Sequence, residues 1–346
     1  MKKNTFVKFI SVSMAFAALL VSCKSKKTSE ERLNEVVVYT YDSFAGEWGP
    51  GPELVKLFKE KTGYTLNLVD CGDAVQAYNR AVLEKKDVQA DVVLGIDNNL
   101  APKALKEGIL ESYKPLEADN KVLFDLRHEE SLGGNWNLTP YDYGYFAIIY
   151  DTQSSVPAPK SLEDLTLPVY EKKIILMDPR TSTPGLGFAS WTAAVYGEKL
   201  SDYWKALKPN ILTMTSGWSE GWGMFQNGEA PLCISYNTSP AYNVEYENND
   251  RYVTLIFDEG HVMQVEGFGL LKNAPNKKGA KAFMDFMISI DAQKVLPLTQ
   301  WMYPANHGFD LPESYKTAAP LPTKVLEYDA SKNDDYVQTI MDVLGK

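Results

Sequence analysis

The sequence predicts an α/β protein of two lobes. Three observations carry this expectation: strand-like and helix-like runs alternate along the chain, the length of 346 residues exceeds what one hydrophobic core usually supports, and a second strand–helix series begins near Pro140.

Taken in order, Val36–Tyr41 is β-branched and aromatic and reads as a strand, followed by the turn Gly49-Pro50-Gly51-Pro52. Leu54, Val55, Leu57 and Phe58 then have amphipathic-helix spacing, from Pro52 or Glu53 to Lys61, with Gly63 as the stop signal. A strand over Thr65–Val69, a loop over Asp70–Asp73, a helix over Ala74–Lys86 and a buried-looking strand over Ala90–Gly95 complete this unit. Repeated βα units argue for a parallel sheet with helices on both faces. The run Asp142–Tyr150 is long enough to leave one lobe and enter another. A proline-containing linker, Ser155–Lys160, leads to an expected helix, a strand over Lys173–Asp178 and an apolar helix over Phe188–Tyr196.

The first residues are of a different kind. Lys2, Lys3 and Lys8 precede or open an apolar run, Phe9–Val21, that is too short to span a bilayer permanently. It ends in Leu20-Val21-Ser22-Cys23, which resembles the lipobox of bacterial lipoproteins. That resemblance implies cleavage after residue 22, lipidation of Cys23, and a chain held in the periplasm or cell envelope by a membrane anchor. Residues 23–34 are polar and aperiodic and read as a tether. Losing the three lysines moves the formal charge from -10 to -13. So acidic a chain repels nucleic acid and anionic lipid, and tolerates a cationic ligand.

Cys71 and Cys233 are the other cysteines, and the sequence leaves open whether they bridge. His128, His261 and His307 lack ligand spacing, so no metal site is expected. Nucleotide-binding, zinc-protease and α/β-hydrolase motifs are absent from the sequence, and no cofactor or catalytic group is expected.

The most informative residues are aromatic. Seven tryptophans and twenty tyrosines include several in Gly-, Pro- and Ser-rich turns, where rings are better placed to meet a flat or cationic ligand than to build a core. Trp218, between Gly217 and Ser219, is assigned to a ligand, and Trp222 to the core. Ser182-Thr183-Pro184 and Thr238-Ser239-Pro240 read as helix starts, where unpaired N–H groups and hydroxyls attract an anion. Each is also consistent with a plain capped helix. Asp73 follows a strand and is a helix cap, a ligand contact, or both. The turn at Trp301 is either a site wall or a buried anchor.

Several segments, in the same order, resemble the thiamine-binding proteins of bacterial ABC importers. They are Val38–Phe44 with Trp48–Pro52, Ala90–Leu100, Tyr141–Ala147, Asp178–Gly187, Gly217–Glu220, Ser235–Tyr242, Glu259–His261 and Trp301–Pro304. The resemblance implies a type II periplasmic-binding-protein fold, two α/β lobes with a ligand cleft between them. Residues 35–141 with about 266–311 would form lobe 1, 142–265 lobe 2, and 312–346 is assigned to neither. It also implies capture of thiamine, or its mono- or diphosphate, for an importer permease and its ATPase. Asp73, Ala74, Ser182, Thr183, Trp218 and Tyr236, Asn237, Thr238 and Ser239 would line the site, with Tyr41, Tyr242 and Trp301 as further walls. Asn237 stands where the family usually has threonine, which leaves the phosphorylation state open. Two rival readings are a thiaminase-like enzyme using Cys71, and a binding protein for ferric iron, through Tyr236 and Tyr242, or for a polyamine.

Overall fold

The computed structural model describes residues 32–123, 126, 132–306 and 308–345. The leader, Cys23 and the tether up to residue 31 lie outside the described residues, as do His128 and His307. Within the segment expected as a tether, Arg32 is docked, its Nη1 2.9 Å from the buried Asp91 carboxylate and donating to Glu35 O at 3.0 Å.

Eleven strands among the described residues form one continuous path, β2-β1-β3-β10-β5-β8-β6-β7, with β4 on β10 and β11 and β9 on β5. In the first half β1 (Glu35–Thr40), β2 (Thr65–Asp70) and β3 (Val92–Asp97) are parallel. Strands β1 and β3 are buried along their whole length, as β-branched runs covered on both faces must be. In the second half β6 (Ile174–Met177) pairs in parallel with β7 (Ile211–Thr215) and β8 (Leu232–Tyr236). The short strands β4 (Leu110–Glu111), β9 (Tyr252–Leu255) and β11 (Tyr303–Pro304) add to the central strands, β4 to β10 and the other two to β5.

Two strands cross between the halves. β5 (Thr139–Asp151) pairs through Thr139–Tyr145 with β10 (Met263–Leu271), then through Phe146–Tyr150 with β8. Accordingly there are two large apolar cores among the described residues, beside a small cluster of Ala241, Tyr303, Tyr315 and Ala319. One gathers Val36, Phe58, Leu94, Tyr141, Phe268 and Phe283; the other gathers Phe146, Ile175, Trp191, Trp204, Phe225 and Ile234. The C-terminal helix Asn333–Leu344 buries Ile340 and Met341 in the second core. It also reaches the first half, where Asn333 Nδ2 donates to Asn99 Oδ1 at 3.2 Å.

Local sequence explains most helix limits. Helix Gly51–Thr62 ends at Gly63 in the left-handed region, φ 80°. The second apolar helix starts earlier than its hydrophobic run suggests, at Thr183, because Pro184 in the first turn has no N–H to waste there. No full helix follows Lys160: two 3₁₀ turns, Asp164–Thr166 and Pro168–Tyr170, take its place. Pro168 supplies no N–H with which a longer helix could continue.

Two buried carboxylates tie the fold together, Asp91 within the first half and Asp73 between the halves. Asp91 accepts from Val37 N at 2.8 Å and Asn276 N at 2.6 Å while pairing with Arg32. Asp73 caps helix Ala74–Leu83 by accepting from Val75 N, and the same Oδ1 accepts from Thr183 N, 3.1 Å away at the start of the opposite helix. The anion expected at that positive helix end is thus an aspartate of the other lobe.

Asp91→Ala should lower the unfolding free energy by about 2–4 kcal/mol in denaturant titration, since buried donors lose their acceptor. For Asp73, burial outweighs the hydrogen bonds from Thr183 N and Val75 N and raises its pKa to about 6. A carboxyl raised in the folded state favours folding at low pH, and that contribution is lost as pH rises from about 4 through 6. Between pH 4 and 7 the wild type should therefore lose roughly 3 kcal/mol more stability than Asp73→Asn. Parallel pH profiles of the two proteins would refute this.

Candidate functional site

Between the lobes lies a cleft of about 420 Å³. From the first lobe come Tyr41, Asp42, Trp48, Asp73 and Glu266. From the second come Thr183, Trp218, Trp222, Tyr236, Ser239 and Tyr242, and the turn Thr299–Met302 closes one end. Of the twelve residues expected to line a site, eight are brought here: Tyr41, Asp73, Thr183, Trp218, Tyr236, Ser239, Tyr242 and Trp301.

Each ring is positioned by a specific device. Trp218 opens helix Trp218–Gln226, stacks on Trp222 at 5.7 Å with 11° between planes, and donates from Nε1 to Ser235 Oγ at 2.8 Å. Ser235 in turn meets Ser239 Oγ at 2.7 Å, so strand end, helix start and indole form one hydroxyl-linked unit. Trp301 has φ 59°, a strained backbone for a non-glycine residue, and stands edge-on to both Tyr242 and Tyr246. Tyr41 reaches the floor because Gly95 lies beneath it: a Cβ there would come within 2.6 Å of the Tyr41 ring. Gly187 plays the same part for Phe146, whose ring a Cβ would meet at 2.1 Å. Phe146 then supports Tyr236 at 5.4 Å.

The electrostatics are one-sided. Asp42, Glu47, Asp73 and Glu266 face the cleft, and no Lys, Arg or His is among the described residues that line it. Burial raises the Asp42 pKa against hydrogen bonds from Ser219 and Ser43 N–H. Glu266, buried at the cleft floor, is pushed up to about 7, chiefly by loss of water. The Tyr236 phenol is driven well above its ordinary range by burial and then by the charges of Glu266, Asp73 and Asp97. The site therefore presents acceptors, neutral hydroxyls and aromatic faces.

Four expected lining residues do not reach the cleft. Ala74 is buried and would touch a Cβ placed at Gly95. Ser182 is fully buried and makes no side-chain cap bond. Asn237 is spent inside the second lobe, accepting from Tyr145 N at 3.0 Å and donating to Tyr303 Oη and Pro320 O. Thr238 turns its hydroxyl to Met302 Sδ. In both helix-start motifs it is the later residue, Thr183 or Ser239, that lines the cleft, a difference set by local backbone direction. Asp42, Trp48, Glu266, Gln300 and Met302 line the cleft although none was assigned to the site from sequence; Asp42, Trp48 and Met302 lie in the segments that carry the family resemblance. Trp222, assigned to the core, is buried and lines the cleft as well.

The segment Glu259-Gly260-His261 is structural. Trp191 Nε1 donates to Gly260 O, Leu162 N donates to Glu259, and His261 Nε2 accepts from Phe257 N while Nδ1 faces Phe146 O. These partners fix the Nδ1–H tautomer, and burial lowers the ring's pKa. Cys71 and Cys233 are free thiols. Cys71 is not among the residues lining the cleft, and burial raises its pKa against the pull of Arg80, which works against its use as a nucleophile. The raised Tyr236 phenol works against a ferric phenolate ligand for the same reason.

Comparison with known proteins agrees with this architecture. Residues 86–332 match the profile of the family described as bacterial extracellular solute-binding protein. The thiamine-binding periplasmic protein of Escherichia coli (strain K12) is 40% identical over 296 residues, 85% of this chain and 87% of that protein. A solved periplasmic thiamin binding protein superposes with a TM-score of 0.81 at 37% identity, covering 90% of this chain and 96% of that one. A periplasmic binding protein of Actinobacillus pleuropneumoniae, solved with fructose-6-phosphate bound, gives 0.78 at 20% identity over 90% and 98%, and shares the fold alone. Two lobes, a double crossing and a cleft between them are the type II periplasmic-binding-protein fold. By profile, identity and coverage, this chain belongs to the bacterial extracellular solute-binding proteins.

Proposed function

We propose that this protein is the extracytoplasmic receptor for thiamine and passes it to an ABC importer. The observation that carries the reading is the pairing of stacked indoles with unneutralised carboxylates. Trp218 on Trp222, with Tyr41, Tyr242 and Trp301 around them, face the same cleft as Asp42, Asp73 and Glu266. A flat ring bearing a fixed positive charge satisfies both at once. Each ring contact contributes about 0.5–2 kcal/mol by stacking or cation–π attraction, more where water is excluded. Thiamine offers a thiazolium cation, an aminopyrimidine face and a hydroxyethyl arm.

Asp73 has one oxygen engaged by two backbone N–H groups, which leaves Oδ2 as an acceptor for an amino group. Thr183, Tyr236 and Ser239 supply hydroxyls for the arm or for a phosphate on it. Closure of the lobes over the ligand gives the importer a loaded shape to distinguish from the empty one. Among the described residues no helix is long and apolar enough to cross a membrane. Attachment in the periplasm or cell envelope would then rest on a lipid at Cys23.

Titration calorimetry with thiamine tests the assignment. Trp218→Ala should weaken binding at least tenfold, and wild-type protein that takes up no heat and shows no tryptophan quenching would sink it.

A further inference from the structure

The floor of the cleft holds a pair of acids that an aromatic clamp alone does not require. Glu266 on β10 stands directly opposite Asp142 on β5, so both side chains project from the same face of the crossing strands. Both are buried, Glu266 at 4% exposure and Asp142 at 0%. Glu266 is well held: Tyr41 Oη and Tyr141 Oη lie 2.9 and 3.0 Å from its Oε2, and Gln300 Nε2 is 3.5 Å away. Asp142 is not, since no N–H or O–H donor reaches either oxygen. Its remaining hydrogen-bonding neighbour is the Glu266 carboxyl itself.

Two ionised carboxylates cannot hydrogen-bond each other, so the pair holds at least one proton, and burial beside Glu266 raises the Asp142 pKa well above its ordinary value. The groups facing Glu266 are Tyr41 after β1, Tyr141 and Asp142 on β5, Asp97 on β3 and Gln300 from the closing turn; none is cationic. Asp97 adds repulsion. Only one side of Glu266 is open, the side that lines the cleft.

We infer that Glu266 is the counterion of the ligand's positive charge, held in place by Asp142, and that a cation entering the cleft displaces a proton from Glu266 to solvent. This rests on the reading of the cleft as a thiamine site. The O–H bond of Glu266 breaks, the proton passes to buffer, and the ligand's charge replaces it beside the carboxylate. The raised pKa of Glu266, about 7, places the event in the neutral range. The ligand charge lowers it, so affinity rises with pH until Glu266 is ionised without help.

Calorimetry of thiamine binding in buffers of different ionisation enthalpy counts the protons. Wild type should release close to one proton at pH 6 and almost none at pH 8.5, with affinity rising several-fold between pH 6 and 7.5. Asp73 is the other carboxyl able to titrate here, and Asp73→Asn should keep most of the release. Glu266→Gln should abolish it and bind at least tenfold more weakly at pH 8. Binding heats independent of buffer, or a release that vanishes in Asp73→Asn, would overturn the inference, and the second outcome decides the matter even if Glu266→Gln does not fold. Wild type that binds no thiamine at any pH would instead defeat the functional reading on which it rests.

Discussion

A carboxylate taken out of water without a cation beside it is costly, and this molecule places several of them along one cleft. Asp42, Asp73, Asp142 and Glu266 all have pKa values raised first by burial. Hydrogen bonds from tyrosine hydroxyls and helix-start N–H groups recover part of that cost. The arrangement is electrostatically unfinished, and a positively charged partner completes it.

The scaffold makes this possible by where it puts the acids. Strands β5 and β10 cross between lobes, so Asp142 and Glu266 sit at the joint itself, Asp142 fully buried and Glu266 lining the cleft. Asp73 lies further out and spans the gap, capping one helix and meeting the start of another. A ligand that presents an amino group to Asp73 and charge to Glu266 would engage the rim and the joint together. Ligand chemistry and lobe closure are then coupled through the same two residues.

Aromatic rings set the shape of what can enter. Trp218 is locked by the Ser235–Ser239 hydroxyl chain, and Trp301 by a left-handed backbone and its Tyr242 and Tyr246 neighbours. Rings held this firmly lose little freedom when a flat ligand slides between them. Trp48, 86% exposed and lining the same cleft, is the contrasting case of a ring that faces solvent.

Much was legible in the sequence, because periodicity and turn chemistry are local. The strands from Val36 and Ala90, the helix closed by Gly63, the long crossing run before Tyr150 and the exposed aromatic turns at Trp218 and Trp301 all follow from residues near one another in the chain. The order of motifs likewise pointed to the family that the profile match and close relatives show. Which member of each polar cluster faces the cleft was decided only by tertiary structure. Thr183 rather than Ser182, and Ser239 rather than Asn237 or Thr238, face inward because one step along a helix start turns a side chain by about 100°. Glu266 carried no local signal at all. Its role arises from Tyr41, Tyr141 and Asp142, separated from it by more than a hundred residues and joined to it only when two strands cross.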